Sequence, residues 1–299
     1  MSSRPQTEDI LNASEIIRLT SEKPVSLIPL WEFLLAFFFA VSIALLFYFG
    51  YFNKIENATI DFRFKQRGEL PRNQDIALIG ITEECLNELG TWPWPRSMHG
   101  KLLSILKSEG AKVAAFDIMF NDNPLLGEAD DVEFANQIRN FGRVVLPQVV
   151  LNRTVLDPET FEMAEKSIVE RPTETLLAAK PHEGFIDLDH KILNPDGVMR
   201  KLLLHKPAEG LTSYIFGLSA AAAYLGVTPV VESFGMRLGD RLLPFFDCHE
   251  PEAGHRVKSY LVNYAGGYRH FDEISYADTI NRKFRPGFFR NRLVLIGTR

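Results

Sequence analysis

The chain has 299 residues, 46% hydrophobic and 24% charged, with a formal net charge of −5, which fits a folded protein and not a disordered one. The acidic balance and the lack of a basic run argue against nucleic acid as the main partner. Two cysteines, Cys85 and Cys248, are too few for a disulfide scaffold or a cysteine-rich metal site; they read as free thiols, with a single bridge as the alternative.

Residues 1–28 are polar, mixed in charge, and read as a short tail. At residue 30 the composition changes abruptly to Trp31, Phe33, Leu34, Leu35, Phe37, Phe38 and Phe39, and the run continues through Leu45, Leu46 and Phe47 to Phe52. At about 1.5 Å per residue this stretch spans roughly 35 Å, enough for a bilayer core. Its apolar side chains contribute roughly 4–8 kcal/mol of insertion free energy against one terminal acid, Glu32. The run is too long for a signal-peptide core. It predicts a single transmembrane helix over residues 29–53, with a buried helix of a soluble core as the alternative. Trp31 at one end and Tyr48 and Tyr51 at the other suit the interfacial belts. Arg18 and Lys23 precede the run, whereas Lys54, Arg63, Lys65 and Arg67 follow it, so the flanking charges taken alone would keep the larger part of the chain in the cytoplasm.

After a helical continuation over residues 55–64 and a break at 68–73, the sequence turns to an α/β pattern. Apolar runs at 76–81 and 113–120 read as strands. Between them lies Trp92-Pro93-Trp94-Pro95-Arg96, followed by Met98, Leu102, Ile105 and Leu106 at helical spacing. Each proline extends the residue before it, so Trp92 and Trp94 should face one side, and Pro95 suits the first turn of a helix. Val132, Phe134, Ala135, Ile138 and Phe141 mark the next helix, Gly142 ends it, and 144–150 is a third strand. This β-α-β-α-β order with buried-type strands predicts a mostly parallel or mixed sheet with helices on both faces. Residues 151–182, with Pro158, Pro172 and Pro181, read as an irregular insertion. Residues 184–188 and 198–205 read as paired strands joined by a turn at Asn194-Pro195-Asp196-Gly197. Beyond them come a helix over 213–225, a hairpin over 236–245 turning at Gly239-Asp240, a strand over 259–264, a helix start at 275–281 and a final buried strand at 293–297.

The sequence contains no Gly-x-x-x-x-Gly-Lys-Ser/Thr loop, no Gly-x-Gly-x-x-Gly, no Gly-x-Ser-x-Gly and no His-Glu-x-x-His. The seven histidines are scattered, and His249 and His255 lack helical spacing; surface or loop positions are the expectation, and no cofactor or metal is indicated. Ligands of open parallel sheets bind beyond the carboxyl ends of the strands. That rim would gather Thr82, Glu83, Asp117, Gln148 and Thr298. Asp117 interrupts an apolar strand, and a buried carboxylate needs a partner; Arg96 is the candidate, with ligand contact as the alternative. Trp92 and Trp94 are either a packing lid over the strand-to-helix turn or a stacking platform for a ligand. Asp122, Asp130 and Asp131 do not match a calcium loop, and Asp130 or Asp131 reads as the N-cap of the helix that follows.

Taken together, the membrane helix, Ile60-Asp61-Phe62-Arg63-Phe64, Leu89-Gly90-x-Trp92-Pro93-Trp94-Pro95-Arg96, Ala115-Phe116-Asp117-Ile118-x-Phe120 and Asp130-Asp131 resemble the CHASE domain of the second type. Further matches are Gly184-Phe185, Pro195-Asp196-Gly197-Val198-x-Arg200, Val262-Asn263-Tyr264-x-Gly266 and Leu293-Val294-Leu295-Ile296-Gly297. The chain has Ile81-Thr82 where the family usually carries an aspartate. The resemblance implies an extracytoplasmic sensor of bacterial cyclases, histidine kinases and serine/threonine kinases. It places residues 1–28 in the cytoplasm, the helix in the inner membrane and residues 54–299 outside it, against the count of flanking charges. It implies no catalytic residue, and it carries over no ligand; the sensor reading itself expects a homodimer that responds to an unknown small ligand or an envelope protein. Family members usually continue past the last strand through more sensor, further membrane helices and an output domain, so this chain is expected to be a C-terminally incomplete sensor. A membrane-tethered enzyme using Glu83, Asp117 and Arg96 is the alternative reading.

Overall fold

The computed structural model describes residues 29–48, 51–121, 125–156, 163–188, 196–249 and 256–299. The expectations for the tail over 1–28 and for Asp122, Pro158, Asn194, Pro195 and His255 lie outside them. The chain divides into two compact units, residues 1–68 and 69–299.

The described residues of the first unit are almost all helical. Helix α1 (Leu30–Tyr48) has 19 residues, none of them buried. At 1.5 Å per residue it is about 28 Å long, close to the thickness of a bilayer's hydrocarbon, and it is apolar all round, which suits lipid on every side. Helix α2 (Tyr51–Arg67) is polar and ends on Lys65 and Arg67, cations that complement the negative end of its dipole. Of the helix expected over 29–53, Leu30–Tyr48 lies in α1 and Tyr51 and Phe52 begin α2.

The second unit is built on a seven-stranded sheet. Strands β1 (Ile76–Ile81), β2 (Val113–Asp117), β3 (Val144–Leu156), β5 (His182–Phe185), β14 (Asp272–Ser275) and β15 (Leu293–Thr298) are parallel. They lie in the order β14-β1-β15-β2-β3-β5, and the far half of β3 pairs antiparallel with β4 (Met163–Glu170). The last strand of the chain thus occupies the interior, hydrogen-bonded to β1 on one side and β2 on the other.

Helices cover both faces. On one lie α3 (Glu83–Leu89), α4 (Arg96–Ser108), α5 (Glu128–Phe141) and α8 (Tyr276–Ile280). Leu102, Leu106, Phe134 and Ile138 from these helices bury Ile79, Phe116 and Ile296 of the sheet. On the other face, Ala220 and Ala223 of α7 (Phe216–Leu225) pack on Val113, Ala115, Val145 and Leu293. Small residues let α7 approach closely, and Gly226, at φ 73°, ends it in the left-handed conformation that glycine adopts without steric cost.

Several pairings differ from those read off the sequence. Residues 184–188 and 198–205 do not pair with each other: β5 joins β3, while β6 (Lys201–Leu202) joins β13 (Arg256–Leu261). Within the supposed insertion after residue 150, residues 151–156 and 163–170 pair antiparallel as the end of β3 and β4. The strand expected over 113–120 ends at Asp117, because the chain then turns to bury Ile118 and Phe120. The hairpin turning at Gly239-Asp240 forms as β10 (Gly235–Leu238) and β11 (Arg241–Pro244).

The contact between β5 and α7 leaves no room for a side chain. A Cβ on Gly184 would lie 2.6 Å from the Cα of Phe216, and a backbone cannot give way as a flexible side chain can. Gly184→Ala is expected to destabilise the folded unit by about 1–3 kcal/mol, read as a lower denaturation midpoint of the full chain in detergent.

Candidate functional site

Two regions hold the polar groups that the sequence singled out. The first is the Trp-Pro-Trp-Pro-Arg turn entering α4. Trp94 is 2% exposed, donates from Nε1 to the carbonyl of Gly90 at 2.9 Å, and has its ring 4.8 Å from that of Tyr276. Trp92, half-buried across a cis peptide to Pro93, lies edge-on to Trp94 at 5.2 Å. Both tryptophans therefore face one aromatic cluster, with His99, Phe116, Phe120 and Phe134 beyond them. A cleft of about 280 Å³ opens beside the turn, lined by Trp92, Trp94, Arg96 and Met119 among others.

Arg96 does not pair with Asp117. Its Nε stands 3.3 Å from Asp131 Oδ1, with side chains 10% and 3% exposed, and its guanidinium covers the Phe120 ring at 4.7 Å. Asp130 accepts hydrogen bonds from the backbone N–H groups of Arg96 at 2.6 Å and Ser97 at 2.8 Å. Neither aspartate caps its own helix, whose N-cap is Gly127. Asp130 caps α4 across the fold instead, because Pro95 offers no side-chain oxygen there. The Thr173 hydroxyl donates to the other oxygen of Asp131, so the cluster also fixes the start of α6 (Glu174–Leu177).

His99 is buried, contrary to the expectation of surface histidines. It is 1% exposed, and burial together with the nearby positive charge of Arg96 lowers its pKa from 6.5 to about 3. Burial also pushes the Tyr276 phenol well above its ordinary range. Its hydroxyl thus stays protonated, 2.9 Å from Nδ1 of a neutral His99. At ordinary pH this histidine is a neutral packing and hydrogen-bonding group.

The second region is the carboxyl rim of the parallel strands, where two adjoining clefts share Arg269, Glu273 and Arg299. One, of about 440 Å³, includes Asp117, Gly80, Gly297, Thr298 and Phe216; the other, of about 410 Å³, includes Thr82, Arg72 and Asp272. Asp117 keeps its side chain open to solvent, yet the rim withdraws enough water from its carboxyl to raise its pKa. Glu83 is exposed in the first turn of α3 and lines none of these clefts. Gln148 is buried inside, donating from Nε2 to the Ser213 hydroxyl at 3.0 Å. The sequence-derived set thus splits: Trp92, Trp94 and Arg96 at the aromatic turn, Asp117 and Thr82 in the two rim clefts, and Glu83 apart. The reading missed Arg269, Glu273 and Arg299, which lie in loops or at strand ends without a motif of their own.

These features define an α/β domain that follows an apolar helix long enough to cross a membrane and carries its open clefts at the strand ends. The model of the CHASE2 domain matches residues 36–299, and the chain belongs to that family, whose domains are extracytoplasmic sensors without catalytic activity. No curated protein and no solved structure matches the chain.

The buried pair at the turn is open to test. Asp131→Ala breaks the buried ion pair with Arg96 and the bond from Thr173 and is expected to cost about 3–5 kcal/mol, whereas Asp130→Ala, which removes only cap bonds, should cost about 0.5–2 kcal/mol; chemical denaturation of the full chain separates the two. His99 makes a further prediction. Its folded pKa lies below its unfolded value, so the unfolded chain binds the extra proton. Its contribution is complete above pH 6.5 and is lost as pH falls towards 3, by roughly 4–5 kcal/mol at 1.36 kcal/mol per pKa unit. His99→Gln should flatten that acid limb of the stability profile.

Proposed function

We propose that the chain is the sensory region of a bacterial membrane receptor, anchored in the inner membrane by α1 with the residues after about 54 outside the cytoplasm. It works as a homodimer that detects a small ligand or an envelope protein and relays that state through its membrane helices to a cyclase or kinase output domain. The observation that carries this reading is the CHASE2 match extending from within α1 to the end of the chain. A sensor and its membrane helix form one continuous family unit, as signalling across a bilayer requires. The open rim clefts supply a surface at which a ligand can discriminate between two conformations, and only such differential affinity moves an equilibrium.

Two substitutions test the arrangement in cells. A thiol on exposed Lys101 (Lys101→Cys) should react with a membrane-impermeant maleimide in intact spheroplasts; reaction only after lysis would overturn the orientation. Ser42→Cys in α1 is expected to give a disulfide-linked species of twice 33.9 kDa on oxidation. Monomer alone, at every position tried along one turn of α1, would overturn the dimer.

A further inference from the structure

The rim cleft is sorted by charge, and its floor is bare backbone. Gly80 of β1 and Gly297 of β15 are register partners, and the same row continues to Asp117 on β2 and Ser275 on β14. A Cβ on Gly297 would come within 3.2 Å of the Asp117 Cβ, and one on Gly80 within 3.0 Å of Glu273 Oε1 and 3.7 Å of the Arg299 side chain. The two glycines therefore let acidic and basic side chains lie over the strand ends. Helix α7 covers only part of this face, so Phe216 and Leu295 stand as an apolar wall beside the bare floor.

The charges are not all neutralised within the fold. Arg299 Nη1 lies 2.5 Å from Glu273, and Arg292 Nη1 lies 2.8 Å from Asp272. Two groups are left over. At one end, the Asp117 carboxylate has no hydrogen-bond or ion-pair partner among the described residues, and its pKa is raised by lost solvation, the condition that a bound cation would relieve. At the other, Arg269 stacks 5.3 Å from the Tyr268 ring centroid, and Arg72 donates to its backbone carbonyl at 3.3 Å. Among the described residues no carboxylate pairs with its guanidinium. The row from Asp117 to Gly80 crosses two strand spacings, about 10 Å, in a cleft of about 440 Å³.

We propose that this cleft binds a small zwitterion, an amino acid or short peptide, with its ammonium on Asp117, its carboxylate on Arg269 and an apolar side chain against Phe216 and Leu295. The guanidinium fork suits a carboxylate in two-point contact, and the opposite charges at the two ends fix the orientation. The ammonium needs an ionised Asp117, so affinity declines as pH falls through that group's raised pKa. This ligand class deepens the sensor reading and rests on it.

The test uses the full chain in detergent micelles, with calorimetry and thermal unfolding in the presence of L-leucine, L-phenylalanine or the dipeptide Leu-Leu. Each is compared with isoamylamine, 4-methylpentanoate and inorganic phosphate, which carry one end only. At least one zwitterion should bind and raise Tm, with every one-ended compound at least 10-fold weaker. Asp117→Asn and Arg269→Gln, both at exposed positions, should each weaken binding at least 10-fold while the ligand-free Tm is unchanged. Absence of zwitterion binding, an equally tight one-ended compound, or undiminished affinity in either variant would overturn the proposal. The labelling at Lys101→Cys and cross-linking at Ser42→Cys succeed or fail independently, so a wrong ligand class is distinguishable from a wrong sensor assignment.

Discussion

Two adjacent buried carboxylates hold the sheet unit together. Asp130 and Asp131 are 5% and 2% exposed, and an ionised group so deep is tolerated only when paired and hydrogen-bonded. Each aspartate meets that demand differently. Asp130 takes the two orphan N–H groups at the start of α4, where the helix dipole is positive. Asp131 takes the charge of Arg96 and the hydroxyl of Thr173. Three helix starts are thereby fixed to one point. The seating of α4 against α5 fixes in turn where Trp94 and His99 meet Tyr276, so the aromatic cluster follows from the polar one.

On the opposite face the governing constraint is coverage. Parallel strands are normally buried on both sides, and α7 does this for β2, β3 and part of β15. Leu78 and Leu295 remain only half-buried beyond its reach. The rim clefts exist because one short helix covers a sheet wider than itself. The glycines at the ends of β1 and β15 then keep the gap from being filled by side chains of the sheet.

What the sequence revealed was what local chemistry decides. The apolar runs of β1 and β2, the helical spacing from Met98 to Leu106 and the Gly239-Asp240 turn are readable because each is settled by residues close together in the chain. The same holds for the apolar run of α1. Strand partners are not settled that way. Nothing near His182 announces that β5 will join β3, and a polar stretch such as 163–170 acquires strand form only from its partner in the hairpin. The carboxylates at 130 and 131 were visible as cap residues, but the helix that Asp130 caps starts 33 to 34 residues earlier in the chain, and Asp131 caps none. His99 carried no mark of its burial, since its partner Tyr276 is 177 positions away. Of the rim, Asp117 and Thr82 were legible as polar residues at strand ends, whereas Arg269 belongs to a loop whose place depends on the sheet closing.

The loop that carries Tyr268 and Arg269 is tied by its backbone to the first residues after the helical unit. Leu70 donates its N–H to the Ala265 carbonyl at 2.7 Å, the Glu69 carboxylate accepts from the N–H of Gly267 at 3.0 Å, and Arg72 reaches the carbonyl of Arg269. Buried His270 locks the loop's inner side: a Cβ on Gly266 would come within 2.2 Å of its Nδ1. The loop therefore has little freedom to move apart from residues 69–72, which continue covalently into α2. The aromatic turn, by contrast, is over-determined by buried ion pairs and ring contacts, and packed cores of that kind do not deform gradually. Any displacement of the Arg269 loop is therefore shared with residues 69–72 at the start of the sheet unit, whereas the aromatic turn has no such outlet.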